Sequence, residues 1–466
     1  MKKYPFAALL LIIPLFISSQ VIKKEDINAD NLYNFSGSMT EYFDPQVRYS
    51  KAPKGFKPFY LSHYGRHGSR YLLNASQYNE PYNILKQAYN EGKLTEFGKS
   101  VMDRLEIMKN DADGRLGDLT QKGQTQHRGI ARRMVKNFPE IFNSRSTIIA
   151  RSTTSHRVMA SMTSALMEFS VLLPKMNIDF DNSDYDRGYM NYEDMAISRA
   201  KNSREKSIAV AEFNARHTHP ERLMAALFTD TTFITRYERS TAATLSGRFD
   251  GGQESRTTVL STQNRSVNLY NQIYEVAANM GSHDLGFNLD DVFTYEEWYD
   301  NFLQNNIYWY SVSAFSPFTQ NIVPYGHATL LQDFLDKADR AITADTPNAN
   351  LRYGHDTALF PLLCLMEVND CAWAPDNLEK VADKWVAYNI VYMGSNLQLV
   401  FFKDKKGTIL VKALLNEKEA RLPVDCYRDK KGREFPYFYE WNKVEKYYRA
   451  KLDYWETKKE ELSNNI

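Results

Sequence analysis

The sequence predicts an α/β fold interrupted by a helical insertion, and three observations carry that prediction. Short apolar or β-branched runs alternate with longer amphipathic stretches near both ends of the chain, the pattern of strands and helices sharing one sheet. From about Asp181 to Phe318 the texture changes to charge and aromatics with helical spacing and few strand signals. Near the C-terminus two alternating runs flank Asp404-Lys405-Lys406-Gly407, a Gly-ended turn that predicts a β-hairpin.

Taking the elements in order, Lys2 and Lys3 precede an apolar run from about Phe6 to Ile17, followed by Ser18 and Ser19. A positive start, a short apolar stretch and a small polar end predict a cleaved signal peptide over 1–20 and an exported protein. The run is short for a membrane span, and no later stretch is long and apolar enough to be one. Lys57 to Ser62 predicts a first strand, with a Gly-rich turn at Gly65 and Gly68. Ala75 to Asn110 is helical in pattern. Leu119 to Asn137 predicts an amphipathic helix with Thr120 as its N-cap. Ser146 to Ala150 predicts a buried strand, and Ser152 to Leu173 the helix after it. The insertion follows, dense in Tyr and Trp between Glu296 and Ser311. Ala328 to Ala344 predicts a helix, Asn350 to Tyr353 a strand, Thr357 to Met366 a helix, and Tyr437 to Leu462 a charged terminal helix. The domain division expected is core over 21–180, a mainly helical cap over 181–318, and core again over 319–466.

Composition bounds the function. With 43% hydrophobic and 25% charged residues, the 466-residue chain is ordinary globular protein, not fibrous or disordered. Lys and Arg total 58 against 57 Asp and Glu, so no global charge draws it to nucleic acid or an anionic membrane. Cys364, Cys371 and Cys426 leave pairing open beside the reading that they are small buried hydrophobes.

Three polar clusters each follow a predicted strand. Arg66-His67-Gly68-Ser69-Arg70 places a histidine between two guanidiniums, whose planar forks suit phosphate oxygens. A neutral imidazole there could attack phosphorus, although the turn reads equally as a solvated basic loop. Arg151-Ser152-Thr153, with Arg157 and Ser161 on the next helix, could add a third Arg. Taken alone it reads better as a surface Arg beside an N-cap. Gly354-His355-Asp356 offers a second His and a carboxyl group able to protonate a leaving oxygen. His283-Asp284 repeats the dipeptide but follows a helical stretch, and reads as a helix end.

Together these clusters resemble the histidine acid phosphatases, the branch of the histidine phosphatase superfamily that includes phytases and multiple inositol polyphosphate phosphatases. The resemblance rests on Arg66, His67, Gly68 and Arg70, then Arg151 with Arg157, then His355 with Asp356, and spans the chain after the apolar N-terminus. It implies a phosphoglycerate-mutase-like three-layer core under the helical cap. It implies His67 as nucleophile, Asp356 as general acid, and Arg66, Arg70, Arg151 and His355 as the phosphoryl clamp. It also implies a small-molecule phosphomonoester as partner and no cofactor or metal. Two departures stand out. Leu72 replaces the Pro usual two places after the second Arg, and His355-Asp356-Thr357 stands where the inositol polyphosphate branch has His-Ala-Glu.

Competing readings are a phosphoglycerate-mutase-like phosphotransferase, disfavoured by export, and an inactive phosphate-binding relative, disfavoured by retention of His67 and Asp356. His217-Thr218-His219 lacks a third metal ligand at useful spacing and reads as a polar loop. The cluster Trp298, Tyr299, Tyr308, Trp309 and Tyr310 reads as cap core. Cys426 and Arg433 lie one residue too far apart for a Cys-dependent phosphatase loop, and neither GxxxxGK[ST] nor GxSxG occurs.

Overall fold

A computed structural model describes residues 21–190, 194–234, 265–344 and 346–464; the signal peptide expected over 1–20 lies outside the described residues. Strand β1 (Lys57–Arg66) is followed by helices α1 (Ala75–Asn90), α2 (Glu96–Asp111) and α3 (Gln121–Asn137). Next come β2 (Thr147–Ser152), α4 (His156–Leu172) and β3 (Asn177–Asp181). Between β3 and the next strand, the longer described elements are helical: α5 (Met195–Lys201), α6 (Arg204–Arg216), α7 (Glu221–Leu227), α8 (Arg265–Ala278), α9 (Tyr295–Ser313) and α10 (Ala328–Ala344). The chain then forms β4 (Ala349–Gly354), α11 (Asp356–Leu365), β5 (Asn396–Lys403), β6 (Ile409–Leu415), the short strands β7 (Lys418–Ala420) and β8 (Tyr439–Glu440), and α12 (Trp441–Asn464).

The strands form one mixed sheet in the order β3-β2-β4-β1-β5-β6-β7, with β8 on β6. β1, β2, β3 and β4 run parallel, and β5 turns antiparallel on β1. The predicted hairpin is β5–β6, closed at Gly407, whose φ of 83° suits glycine. β1 is buried for most of its length because it is central and covered on both faces. Leu61 packs with Ile130, Met134, Val158, Met162 and Phe169 of α3 and α4. Tyr60 and Tyr64 face the opposite layer, with Phe334 of α10 and Leu359 of α11. Helices therefore cover both faces of the sheet, giving the three-layer α/β arrangement expected.

The Thr120 side chain accepts from the Gly123 N–H and starts α3 where the sequence places it. The predicted helix over 75–110 is two helices, broken between Asn90 and Glu96 around Gly92, where φ is 67°. α1 packs on α8 and α2 on α7, so the helical layer draws on this early segment as well as on the insertion. β1 extends four residues beyond the predicted strand. Gly65 lies within it and Arg66 ends it. β3 was not expected; its largely exposed edge position gives it neither apolar alternation nor a buried run. Among the described residues no helix is long and apolar enough to cross a membrane.

Candidate active site

Register brings the first and third clusters, and the segment after β2, to one end of the sheet. Arg66 lies opposite Gly354 across β1–β4, and Ser152 opposite Tyr353 across β2–β4, so the three strands end level. Ligands of open α/β sheets bind at such carboxyl ends. The His67 N–H donates to the Gly354 carbonyl at 3.0 Å, and the Gly394 N–H donates to the His67 carbonyl at 2.9 Å. Gly354 is required here, because a Cβ would stand 1.9 Å from the Tyr64 hydroxyl, which accepts from the His355 N–H at 3.2 Å.

The loop after β1 is held by α3 and α4. Ser69 N–H donates to Gln126 Oε1 and Gln126 Nε2 to Ser69 Oγ, both at 2.9 Å. Thr120 donates through N–H and hydroxyl to the Ser69 carbonyl. Gly68 lies so close to Gly123 that a Cβ would meet its Cα at 2.6 Å, while the Gly68 N–H donates to Ser161 Oγ at 3.2 Å. These contacts fix the backbone around His67. Pre-organisation of this kind lowers the cost of aligning a nucleophile.

His67 is buried, and its Nδ1 lies 2.9 Å from the Gly68 carbonyl. A protonated Nδ1 satisfies that carbonyl and leaves Nε2 with a free lone pair. Burial, and then the charges of Arg66 and Arg70, with His355 and Arg157 adding to them, hold the imidazole well below its ordinary pKa. It is neutral at physiological pH, the form a nucleophile needs. Nε of Arg66, Arg70 and Arg157 is buried without a partner in each case. Their charges oppose one another: Arg70 lowers the pKa of both Arg66 and Arg157. Such crowding of buried cations is unfavourable in isolation and is relieved by an anion.

Arg66 is partly neutralised. Its guanidinium donates to the Ser38 carbonyl and pairs with Asp356 Oδ2, each at 2.5 Å. Burial pushes the Asp356 carboxyl up, but Arg66, Arg70, His355 and the Thr357 N–H together bring it below its ordinary value. His355 is driven down to about 4 by burial, then by Arg157. Its Nε2 lies 3.1 Å from the Thr153 hydroxyl, and its ring stands edge-on to His67 with centroids 5.7 Å apart.

The structure thus assembles Arg66, His67, Arg70, His355 and Asp356, but not Arg151. On β2, Arg151 projects to the β3 side, where Nη2 pairs with Asp179 Oδ2 at 3.3 Å and Nε with Asp186 Oδ2 at 3.5 Å. Arg157, in the first turn of α4, supplies the third guanidinium. Side chains there lean back toward the helix N-terminus and so toward the strand ends. Support from Gln126 and the Ser38 carbonyl went unread in the sequence, because neither belongs to a motif, and of the second cluster it is Thr153 that meets His355.

The other candidates lie elsewhere. His283 is buried against Tyr71 and Tyr78, with Nδ1 2.8 Å from Asp111. His217 bridges Asp300 and Glu379 at 3.3 and 3.0 Å, and those partners raise its pKa. Cys364, Cys371 and Cys426 are free. Of the aromatic cluster, Trp298 and Tyr310 are buried as core, but Tyr308 is 52% exposed.

Parallel strand ends bearing a buried neutral histidine among three guanidiniums make a site suited to an oxyanion. The model of the histidine phosphatase superfamily, branch 2, matches residues 65–416, and the chain belongs to that family. It is a phosphoric monoester hydrolase of the histidine acid phosphatase type. Among solved structures it is similar to the multiple inositol polyphosphate phosphatase of Bifidobacterium longum in complex with inositol hexasulfate (TM-score 0.70, 18% identity, covering 87% of this chain and 96% of that one). It is also similar to the phytase from D. castellii (TM-score 0.61, 14% identity, 93% and 89% covered). At these identities the likeness is one of fold. No curated protein matches at a significant level.

Proposed function

We propose that the chain is an exported phosphomonoesterase that transfers the phosphoryl group to Nε2 of His67 and then to water, with inositol polyphosphates among its substrates. The observation carrying this reading is the neutral His67, Nδ1 against the Gly68 carbonyl, among guanidiniums with unpartnered Nε groups. Arg66, Arg70, Arg157 and His355 would bind the non-bridging oxygens. In the first step the Nε2 lone pair forms the N–P bond as the P–O bond to the alcohol breaks. The Asp356 proton passes to the leaving oxygen. In the second step water attacks phosphorus, gives its proton to the Asp356 carboxylate, and releases phosphate and His67. Positioning and electrostatic stabilisation dominate such transfers.

In the free protein Asp356 is ionised against Arg66. A phosphate dianion at Arg66 and Arg70 weakens that pairing and adds negative charge nearby, both of which raise the Asp356 pKa. The proton for the leaving group is therefore taken up as substrate binds. We read the mainly helical segment over 181–318, rich in charge and aromatics, as a cap on the core. The apolar segment behind Lys2 and Lys3 supports export, and the inositol phosphate enzymes of similar fold support the substrate class.

Trapping by quench in alkaline detergent tests the reading. With labelled substrate, the wild type should carry acid-labile, base-stable phosphate that His67→Ala lacks, and H67A should lose turnover while keeping the wild-type melting profile. Substantial turnover by H67A would overturn the nucleophile assignment. Turnover confined to transfer between sugar phosphates, with no net hydrolysis, would favour a mutase.

A further inference from the structure

Tyr308 stands out on α9, where its neighbours Trp298, Phe302, Ile307 and Tyr310 are buried while it is half exposed. Two contacts of the same helix locate it. Trp309 stacks on Phe360 with centroids 5.0 Å apart and planes at 27°. Phe360 lies one turn beyond Asp356 on α11, so α9 passes over the start of that helix. One turn earlier on α9, Asn305 presses on Gly37, where a Cβ would meet Oδ1 at 2.6 Å, and Gly37 precedes Ser38, whose carbonyl holds Arg66. Residues 305 and 308 share a helix face. Tyr308 therefore stands over the side of the site occupied by the Arg66–Asp356 pair. Consistent with this placement, burial and then the Asp356 charge raise its pKa.

We propose that Tyr308 is a specificity-determining residue that binds the alcohol side of the substrate, its phenol hydrogen-bonding an oxygen substituent next to the scissile ester of a polyol phosphate. The inference rests on the phosphomonoesterase reading and names its leaving-group class. The guanidiniums lie at the phosphoryl side, and Asp356 marks the side from which the leaving oxygen is protonated. A phenol on that side of the site is a neutral donor and acceptor, with a flat apolar face for ring C–H groups. The shared chemistry it recognises is a vicinal oxygen, borne either by a free hydroxyl or by a neighbouring phosphate.

The test compares three substrates in wild type, Tyr308→Phe and Tyr308→Ala. These are 4-nitrophenyl phosphate, with no vicinal oxygen, glycerol 2-phosphate, with vicinal hydroxyls, and inositol hexakisphosphate, with vicinal phosphates. Loss of one neutral hydrogen bond should lower kcat/KM for a polyol substrate relative to the aryl substrate by about three- to tenfold in Y308F. Y308A should lower the ratio further. A fall on glycerol 2-phosphate alone assigns the subsite to hydroxyls, and one on inositol hexakisphosphate alone assigns it to phosphates. Tyr295→Phe, exposed in the first turn of the same helix, should leave every ratio unchanged. An equal change on all three substrates, or none, overturns the proposal. Absence of wild-type hydrolysis of every ester would instead refute the phosphomonoesterase reading beneath it.

Discussion

Acidification should destabilise this protein well before its carboxylates titrate, because the fold buries several histidines in the neutral form. Burial is the main cause in each case. It lowers His63 and His327 to about 3, and His127 and His355 to about 4. The sign follows from proton binding. Below the ordinary imidazole pKa the unfolded chain takes up protons that the folded chain refuses, so stability is complete above that pKa and falls as pH drops toward the folded values. Between pH 7.5 and 5.5 each such histidine costs about 1.4 kcal/mol, and the four together about 5–6 kcal/mol. His217, raised by Asp300 and Glu379, works in the opposite direction, as do Glu275 and Asp290, which burial raises.

For a chain of this length 1 kcal/mol shifts the melting temperature by roughly 1 °C, so the expected drop is about 5 °C. Differential scanning fluorimetry at constant ionic strength measures it. His327→Gln, at a buried site whose Nδ1 has no partner, should reduce the drop by about a quarter. A melting temperature flat across this window, or an H327Q slope equal to wild type, would refute the argument.

Arg157→Ala should lower kcat by about 10²–10³-fold, as loss of one charge-stabilising donor does, whereas Arg151→Ala should leave kcat within about twofold and cost no more than about 1 kcal/mol of stability. Steady-state kinetics paired with melting curves distinguishes the two, and a larger catalytic loss in R151A would restore it to the clamp. Asp356→Asn should slow hydrolysis of glycerol 2-phosphate far more than that of 4-nitrophenyl phosphate, whose leaving group needs little protonation; equal losses would make Asp356 a positioning group. Turnover should survive dialysis against EDTA, since three guanidiniums supply the positive charge, and loss restored by an added divalent cation would contradict this.

The candidate site was legible where sequence neighbours remain spatial neighbours. Arg66 to Arg70 form one turn, and His355 with Asp356 one strand-to-helix junction, so chain order and strand-end logic place them together. Arg151 and Arg157 show where that logic stops. Both flank the same junction, but side chains alternate across a strand, and Arg151 falls on the side holding Asp179 and Asp186. Arg157 needs the helix to begin at His156 for its side chain to point back at the site, and no local motif fixes that start. The aromatic cluster divides likewise. Trp298 and Tyr310 are core, while Tyr308 is left half exposed where α9 crosses α11, a long-range packing event that periodicity does not encode.

On the proposed mechanism, the close pairing of Arg66 and Asp356 would let one carboxyl group serve both steps. An isolated buried aspartic acid would stay protonated and be a poor base, while one locked permanently against Arg66 would stay ionised and be a poor acid. Sharing Arg66 with the phosphoryl group couples the two states. When the dianionic ester competes for the guanidinium, Asp356 would gain a proton to give to the alcohol. When the phosphoryl group has moved to His67 and the alcohol has left with that proton, the carboxylate is again the species needed to receive one from water. The second cation of the pair, Arg70, lowers Asp356 without a direct ion pair, so it biases the balance without locking it. On that reading the acid–base switch would sit in the phosphate site itself, with the charge of the bound ester acting on Asp356 through Arg66.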